Sequence, residues 1–183
     1  ILISIFAITV RVLIILLTLV LQPDQDIIKP YQQTRILAWL QPEEYENEEG
    51  YQQENSRIAI GSGQLYGKGL NNNEIGSVNN GNFISEPQTD FIFAIIGEEL
   101  GFVGGSIVIL LVAFITLECI FIAKRSKDLA GTLIASGMAT LIGFQSFINM
   151  GVATGVMPNT GIPFPFVSYG LTSLVSVYIG MGF

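Results

Sequence analysis

Four long runs of apolar residues constrain the fold of this chain more than any other feature of its sequence. They occupy residues 1–21, 91–123, 129–157 and 166–183, and each is about long enough to cross a bilayer at roughly 20 residues per helical span. Only 13% of the 183 residues are charged, whereas a soluble domain usually has about 25%. The sequence therefore predicts an all-α fold, a polytopic transmembrane helix bundle.

The basic residues predict how the spans are oriented. Residues 124–127 contain the only basic short loop, and the positive-inside rule places such a loop in the cytoplasm. Alternation of the spans then puts residues 22–90 and 158–165 on the external side. The external loop 22–90 is too long for a plain connection, so we expect it to be functional. The whole chain, 1–183, is predicted to be one multi-span membrane domain.

Charge and composition exclude several kinds of function. The external loop 22–90 holds eleven acids and four bases, which accounts for the whole net charge of −7. Such a chain is not expected to bind nucleic acid, whose phosphates attract basic proteins. The sequence has no histidine, the commonest general base and metal ligand. Its single cysteine, Cys119, lies in an apolar run and cannot form an internal disulfide.

The external loop also contains a glycine-rich stretch, RIAIGSGQLYGKGLNNN, at residues 57–73. Its glycines surround a single base, Lys68, and the backbone N–H groups of such a loop can cradle a phosphate. The spacing is not that of a P-loop, and a flexible turn is the simpler explanation of the same glycines. A phosphate cradle is therefore one of two interpretations of this stretch.

The second apolar run begins beside acidic residues. Thr89 is a reasonable N-cap for a helix starting there, and Asp90 would then lie in the first turn, where the helix dipole favours a carboxylate. As a helix, residues 91–123 would be about 50 Å long at 1.5 Å per residue, more than a hydrocarbon core of about 30 Å. We therefore expect its first turns to project above the membrane or to lie among other segments of the protein.

Three glycines in this run recur every four residues. Gly97, Gly101 and Gly105 would form a face of small residues that allows another helix to pack closely. At 100° per residue Glu98 lies near this face. We therefore expect the Glu98 side chain to point into the packed interior, in a structural or cavity-lining role.

The third run carries two amides, Gln145 and Asn149, one helical turn apart on the same face. Interhelical hydrogen bonding and ligand contact both explain such a pair. The stretch that follows, MPNTGIPFPFVSYG at 157–170, has three prolines within eight residues and cannot be regular helix. We expect it to be extended and to lie against protein or in a water-filled cavity.

Five motifs together resemble one family. QTDFIFAIIGEELGFVGG, MPNTGIPFPFVSYG, IKPYQQTRI, IAIGSGQLYGKGL and QSFINMGVATG match motifs of the SEDS proteins (shape, elongation, division and sporulation), the RodA/FtsW-like family, and occur in the family's order. The match runs from about Tyr31 to the end of the chain. The family has more membrane helices than this chain, so the resemblance implies the C-terminal part of such a protein.

The resemblance implies a function and a location. SEDS proteins are multi-pass proteins of the bacterial cytoplasmic membrane that polymerise lipid II into glycan strands at its outer face, which makes them peptidoglycan glycosyltransferases in cell shape, division or sporulation. The implied partners are lipid II, the growing glycan strand, membrane lipid and a membrane-anchored transpeptidase, a class B penicillin-binding protein. Two alternatives stay open. One is a transporter that flips lipid II along a path lined by Glu98 and Glu118, and the other is a non-catalytic scaffold for a transpeptidase.

The resemblance and the charges together assign the site residues. The family's essential acid in its TDFIF motif corresponds to Asp90, which implies a catalytic base that takes a proton from the attacking sugar hydroxyl. Arg35 and Lys68 are two of the four bases in the acidic external loop, and we expect them to contact the lipid diphosphate. No cofactor or metal site is evident, although Asp90 and the diphosphate could share Mg²⁺. The polar residues assigned to substrate contact are Gln145, Asn149 and Ser168.

Overall fold

A computed structural model of the protein describes residues 30–41, 49–70 and 88–182. The first apolar run, residues 1–21, lies outside this part of the chain. No strand occurs among the described residues. Their helices are α1 (Pro30–Leu40), α2 (Glu49–Ser62), α3 (Ile92–Arg125), α4 (Leu129–Ala153) and α5 (Leu171–Gly182).

Two of these helices, α3 and α4, are long and apolar enough to cross a membrane, and α5 is a shorter apolar helix. α3 and α4 form an antiparallel hairpin, because only the short connection 126–128 separates them. The Asp128 carboxylate accepts a hydrogen bond from Gly131 N (3.3 Å) and so caps the start of α4. The predicted fold class, an all-α transmembrane helix bundle, is confirmed for the described residues.

The main apolar core lies between α3 and α4 and includes residues of α5 and of the stretch before it. Its buried members are Phe93, Val112, Cys119, Ala139, Ile142, Ala153, Phe164 and Val177. The rings of Phe93 and Phe164 are stacked, with centroids 6.3 Å apart. This contact ties the start of α3 to the chain segment that precedes α5.

α3 is not continuous. Gly101 has φ 66° and ψ −165°, which no helix contains, and divides α3 into an N-terminal piece, 92–100, and a C-terminal piece, 102–125. The N-terminal piece is buried from Phe93 to Glu98. The C-terminal piece is about 36 Å long at 1.5 Å per residue, enough to cross a hydrocarbon core of about 30 Å. The expectation of one helix over 91–123 is therefore wrong, while the placement of its first turns among other segments is confirmed.

The loop after α2 caps this break on both sides. The N–H groups of Lys68 and Gly69 donate to the carbonyls of Glu98 (2.9 Å) and Glu99 (3.0 Å), the last carbonyls before the break. In return, Phe102 N and Val103 N donate to Gln64 O (2.8 Å) and Leu65 O (3.1 Å). The backbone groups that a helix end leaves without partners are thus satisfied by the loop. The N–H groups of Lys68 and Gly69 consequently bind the protein backbone rather than a phosphate, which counts against the phosphate-cradle interpretation of this stretch.

Side chains of α1 and α2 bind the chain where α4 ends. Gln53 Nε2 of α2 donates to Val152 O (2.9 Å) and to Met157 O (2.6 Å). Ser56 Oγ donates to Ala153 O (2.8 Å). These bonds, together with the bond from Trp39 Nε1 of α1 to Gly155 O (3.0 Å), all end on backbone carbonyls at or just beyond the end of α4. α1 and α2 are therefore anchored where α4 ends.

Residues 157–170, which we call the Pro-rich segment, contain no helix. Phe164 and Ser168 in it are buried, so the prediction that it lies against protein is confirmed. α4 ends at Ala153 rather than at 157, and α5 begins at Leu171 rather than at 166. The predicted spans are too long at these ends because the non-helical segment between α4 and α5 is as apolar as a membrane helix, and hydropathy alone does not distinguish the two.

The start of α3 also differs from the prediction. α3 begins at Ile92 with Phe91 as the N-cap residue, and no side chain caps it. Thr89 is therefore not the N-cap, and Asp90 does not lie in the first turn. Both residues belong to a separate turn, residues 88–91, which we call the Asp90 turn. The carbonyls of residues 88–90 accept hydrogen bonds from residues elsewhere in the chain.

Candidate functional site

The Asp90 turn is held by its backbone. Three consecutive carbonyls each accept a hydrogen bond: Gln88 O from Tyr169 N (2.9 Å), Thr89 O from Ser168 Oγ (2.6 Å) and Asp90 O from Asn149 Nδ2 (2.8 Å). One donor lies on α4 and two on the Pro-rich segment, so the turn lies where these two parts of the chain meet. The backbone that carries the Asp90 carboxylate is therefore fixed on one side by consecutive hydrogen bonds.

The Asp90 carboxylate meets a guanidinium at Gly161. A Cβ built on Gly161 would lie 3.4 Å from Asp90 Oδ2 and 3.8 Å from Arg35 Nη1. Both charged groups therefore lie within 4 Å of one point beside the Pro-rich segment. Gly161 has φ 66°, a conformation that L side chains rarely adopt. The position thus combines a backbone conformation that suits glycine with close approach of an acidic and a basic side chain.

Asn149 is 1% exposed and bridges two segments. Its Nδ2 donates to Asp90 O and to Ile162 O, each at 2.8 Å. Its Oδ1 is buried and has no hydrogen-bond partner among the described residues, and the same holds for Gln145 Oε1 one turn earlier. Both amide hydrogens of Asn149 are thus used by the protein. Substrate contact by Asn149 and Gln145 stays a prediction, and their oxygens are the atoms that would make it.

Ser168 is 3% exposed and joins the same network. Its hydroxyl donates to Thr89 O (2.6 Å) and accepts from Phe164 N (2.7 Å). The single hydroxyl hydrogen is therefore used within the protein. Its predicted contact with substrate is untested, but its position beside the Asp90 turn is clear.

Lys68 and Glu98 lie next to the break in α3. Lys68 Nζ and Glu98 Oε1 are 3.0 Å apart, and the two side chains are 28% and 2% exposed. The buried Glu98 agrees with the prediction that it points into the interior. Gly97 lies close to α2, because a Cβ there would be 2.9 Å from Ile60 Cγ1. Lys68 thus has a carboxylate partner two helical turns beyond Asp90.

The other two glycines of the predicted packing face have different surroundings. Gly101 lies at the break and faces the backbone of Leu65 and Gly67 rather than another helix. Gly105 is buried, and a Cβ there would be 3.7 Å from Phe93 Cζ, an ordinary contact. Close approach of a second helix is therefore seen at Gly97 alone among the three.

Sequence reasoning missed Gly161 and the backbone atoms that hold the Asp90 turn. Carbonyls and N–H groups carry no residue-type signal, so their role could not be read from the letters. Gly161 did carry a signal in the sequence, because a glycine inside a proline-rich stretch often marks a close approach of another chain segment.

Comparisons with known proteins agree on one family. The family model described as "Cell cycle protein", which covers FtsW, RodA and SpoVE, matches residues 1–183. Stage V sporulation protein E of Bacillus subtilis is 42% identical over 153 residues, 84% of this chain and 41% of that protein. The Probable peptidoglycan glycosyltransferase FtsW of the same organism is 42% identical over 141 residues, 77% of this chain and 34% of that protein. FtsW of Neisseria gonorrhoeae is 40% identical over 155 residues, 83% of this chain and 33% of that protein.

A solved structure is similar over the whole chain. It is described as "Structural coordination of polymerization and crosslinking by a peptidoglycan synthase complex" and has a TM-score of 0.67 at 28% identity. It covers 100% of this chain, which covers 46% of the matched chain. The chain spans about a third to two fifths of the length of the curated relatives it matches.

Proposed function

Because this chain belongs to the FtsW/RodA/SpoVE family, the SEDS proteins, we propose that the protein is a peptidoglycan glycosyltransferase. It polymerises lipid II into glycan strands at the outer face of the cytoplasmic membrane, which it crosses several times. The observation that carries the proposal is the meeting of the Asp90 carboxylate and the Arg35 guanidinium at Gly161. Relatives named probable peptidoglycan glycosyltransferases support the reaction class.

Asp90 is the general base of this reaction. A hydroxyl of the acceptor sugar attacks the anomeric carbon of the donor sugar, which carries the lipid diphosphate. A new C–O bond forms, and the C–O bond between the donor sugar and the diphosphate breaks. The hydroxyl proton passes to the Asp90 carboxylate, and the diphosphate leaves with the bonding electron pair. A positioned base typically contributes about 10²–10⁴-fold to such a rate. Asp90 suits the role because it precedes α3 rather than lying within the apolar helix.

Arg35 binds the lipid diphosphate in this proposal. A guanidinium offers paired N–H donors that match phosphate oxygens, and Arg35 is the base that lies near Asp90 at Gly161. Lys68 contributes a second positive charge, and its ammonium group also forms an ion pair with Glu98. Arg35 would thus hold the diphosphate leaving group close to Asp90, the general base that activates the attacking hydroxyl.

A divalent cation could be shared by Asp90 and the diphosphate. No group of three or more candidate acid, cysteine or histidine ligands gathers in the part of the chain that the structure describes. In this proposal Asp90 would be a residue that holds Mg²⁺, which would neutralise charge on the diphosphate. No step described above depends on it.

A transpeptidase of the penicillin-binding class is the proposed protein partner. The support is the similar solved structure, whose description joins polymerization and crosslinking in one synthase complex. Polymerised strands are the substrate of crosslinking, so a shared complex would pass the product of one reaction to the next.

Replacement of Asp90 tests the proposal directly. Asp90→Asn in the full-length protein keeps the side-chain size but removes the base, so synthesis of glycan strands from purified lipid II in detergent should fall about 10²–10⁴-fold. Asp128→Asn is the matched control, because Asn also caps a helix well and Asp128 lies at the start of α4. In the same assay Arg35→Ala should raise KM for lipid II.

Two results would contradict the assignment. Asp90→Asn activity within a few-fold of wild type would remove Asp90 from the mechanism. A wild-type protein that makes no polymer in detergent, where no membrane has to be crossed, would favour the flippase or the scaffold.

A further inference from the structure

We propose that Asn149 and Ser168 are positioning residues that hold the Asp90 carboxylate in its working place against Gly161. The inference rests on the proposed function of Asp90. It assigns these two side chains a role through Asp90 rather than the contact with substrate that the sequence suggested.

Each of the two side chains binds the backbone that carries the base. Asn149 Nδ2 donates to Asp90 O (2.8 Å), and Ser168 Oγ donates to Thr89 O (2.6 Å). With Tyr169 N on Gln88 O (2.9 Å), no carbonyl from 88 to 90 is left to rotate freely. A catalytic group displaced by about 1 Å can lose about 10²-fold in rate, so bonds of this kind bear directly on the reaction.

Asn149 fixes both sides of the gap in which Asp90 and Gly161 meet. Its second N–H donates to Ile162 O (2.8 Å), the residue next to Gly161. One carboxamide therefore sets the Asp90 turn and the Pro-rich segment relative to each other. The task needs two N–H donors on one planar group, which asparagine has and an ionised aspartate lacks.

Ser168 performs the matching task within the Pro-rich segment. Its hydroxyl accepts from Phe164 N (2.7 Å) while it donates to Thr89 O. The bend from 164 to 168 and the Asp90 turn are thereby joined through one oxygen atom. Both positioning side chains are almost fully buried, and their polar hydrogens all bind backbone carbonyls. Of their polar atoms, Oδ1 of Asn149 has no partner among the described residues, and the role assigned here uses the hydrogens, which fix the position of Asp90.

The experiment uses the full-length protein and measures kcat and KM for lipid II. Ser168→Ala and the isosteric Asn149→Asp should lower kcat about 10–100-fold, with KM within about twofold, because the base is displaced while lipid II binding is retained. Ser146→Ala is the matched control, since Ser146 is 1% exposed and its hydroxyl donates to Ile142 O of its own helix (2.7 Å) rather than to the Asp90 turn. It should keep the wild-type kcat.

The Asp90→Asn background separates this role from a general loss of structure. If Asn149 and Ser168 act through Asp90, adding Ser168→Ala to Asp90→Asn should leave the residual rate unchanged within about twofold. An equal further loss in the double variant would overturn the proposal, as would a raised KM at unchanged kcat. Ser168→Ala decides alone if Asn149→Asp does not accumulate.

The outcome also distinguishes this inference from the function on which it rests. A fully active Asp90→Asn protein would defeat the proposed mechanism itself. An inactive Asp90→Asn protein beside fully active Ser168→Ala and Asn149→Asp proteins would defeat the positioning role alone.

Discussion

Backbone geometry decides which residue position 101 accepts. Gly101 combines φ 66° with ψ −165°, a region of backbone conformation that is essentially open to glycine alone. A Cβ there would also contact Gly67 N and lie 2.8 Å from the backbone carbon and oxygen of Leu65. Neither the strain nor the contact can relax without moving the loop that caps the break in α3.

Gly101→Ala is therefore predicted to destabilise the protein by about 1–3 kcal/mol from strain alone, and by more once the contact is added. Thermal unfolding of the purified protein in detergent measures the effect. Gly137→Ala is the control, because Gly137 lies inside α4 with no atom within 4 Å of its added Cβ. Alanine is the better helix former there by about 1 kcal/mol, so this variant should be as stable as wild type or more so. Equal stability of the two variants would contradict the role given to Gly101.

For single residues, the sequence predicted which side chains are buried or closely packed better than it predicted which atoms they bind. The depth of Glu98 and the closeness of Gly97 to another helix followed from the helical period alone. Thr89 was misassigned as a cap because its hydroxyl has the right chemistry, while the hydrogen bond that matters uses its carbonyl. Every residue type has the same backbone carbonyl, so the hydrogen bonds that hold the Asp90 turn could not be predicted from the sequence.

At the scale of elements, the loop after α2 and the broken α3 form one unit. Four backbone hydrogen bonds join them, and Lys68 and Glu98 add an ion pair (3.0 Å). The apolar run 91–123 predicted a single long helix, and the structure does place residues 92–123 in α3. Hydropathy could not locate the break, because a glycine that packs against a helix and a glycine that interrupts one have the same letter.

The ion pair predicts an asymmetric response to substitution. Glu98→Gln and Lys68→Met each leave one partner without its counter-charge, which destabilises strongly when the remaining group is buried. We expect about 3 kcal/mol for Lys68→Met, which removes the ammonium group from beside the 2% exposed Glu98 carboxylate. The loss should be smaller for Glu98→Gln, since Lys68 is 28% exposed and reaches solvent. The double variant should recover part of the loss, as measured by thermal unfolding in detergent.

KM for lipid II in the same variants decides whether Lys68 has a second role. A structural partner of Glu98 alone would leave KM unchanged in every variant that folds. A raised KM with Lys68→Met but not with Glu98→Gln would show that the ammonium also serves the diphosphate. Additive losses of stability in the double variant would show that the two groups do not interact.

At the scale of the whole molecule, α3 separates two chemically different ends. The Asp90 turn and the helices α1 and α2, which belong to the acidic stretch 22–90, lie at its N-terminal end, while the basic residues of loop 124–127 lie at its C-terminal end. The sequence predicted this division from charge. It did not show that α1 and α2 are anchored on the end of α4, because the bonds of Gln53 and Ser56 run to backbone carbonyls.

The orientation of the whole protein is the remaining prediction, and it decides whether Asp90 can reach a substrate outside the cell. Positive charges stay in the cytoplasm, so loop 124–127 should be internal and the loop after α2 external. Tyr66, 81% exposed, and Lys127, also exposed, are suitable sites for single cysteines. Both are placed in a Cys119→Ala background, because Cys119 is the single cysteine of these 183 residues. A membrane-impermeant maleimide should label Tyr66→Cys in intact cells and Lys127→Cys only after the membrane is permeabilised. Labelling of Lys127→Cys alone in intact cells would reverse the orientation and place Asp90 on the side away from the growing wall.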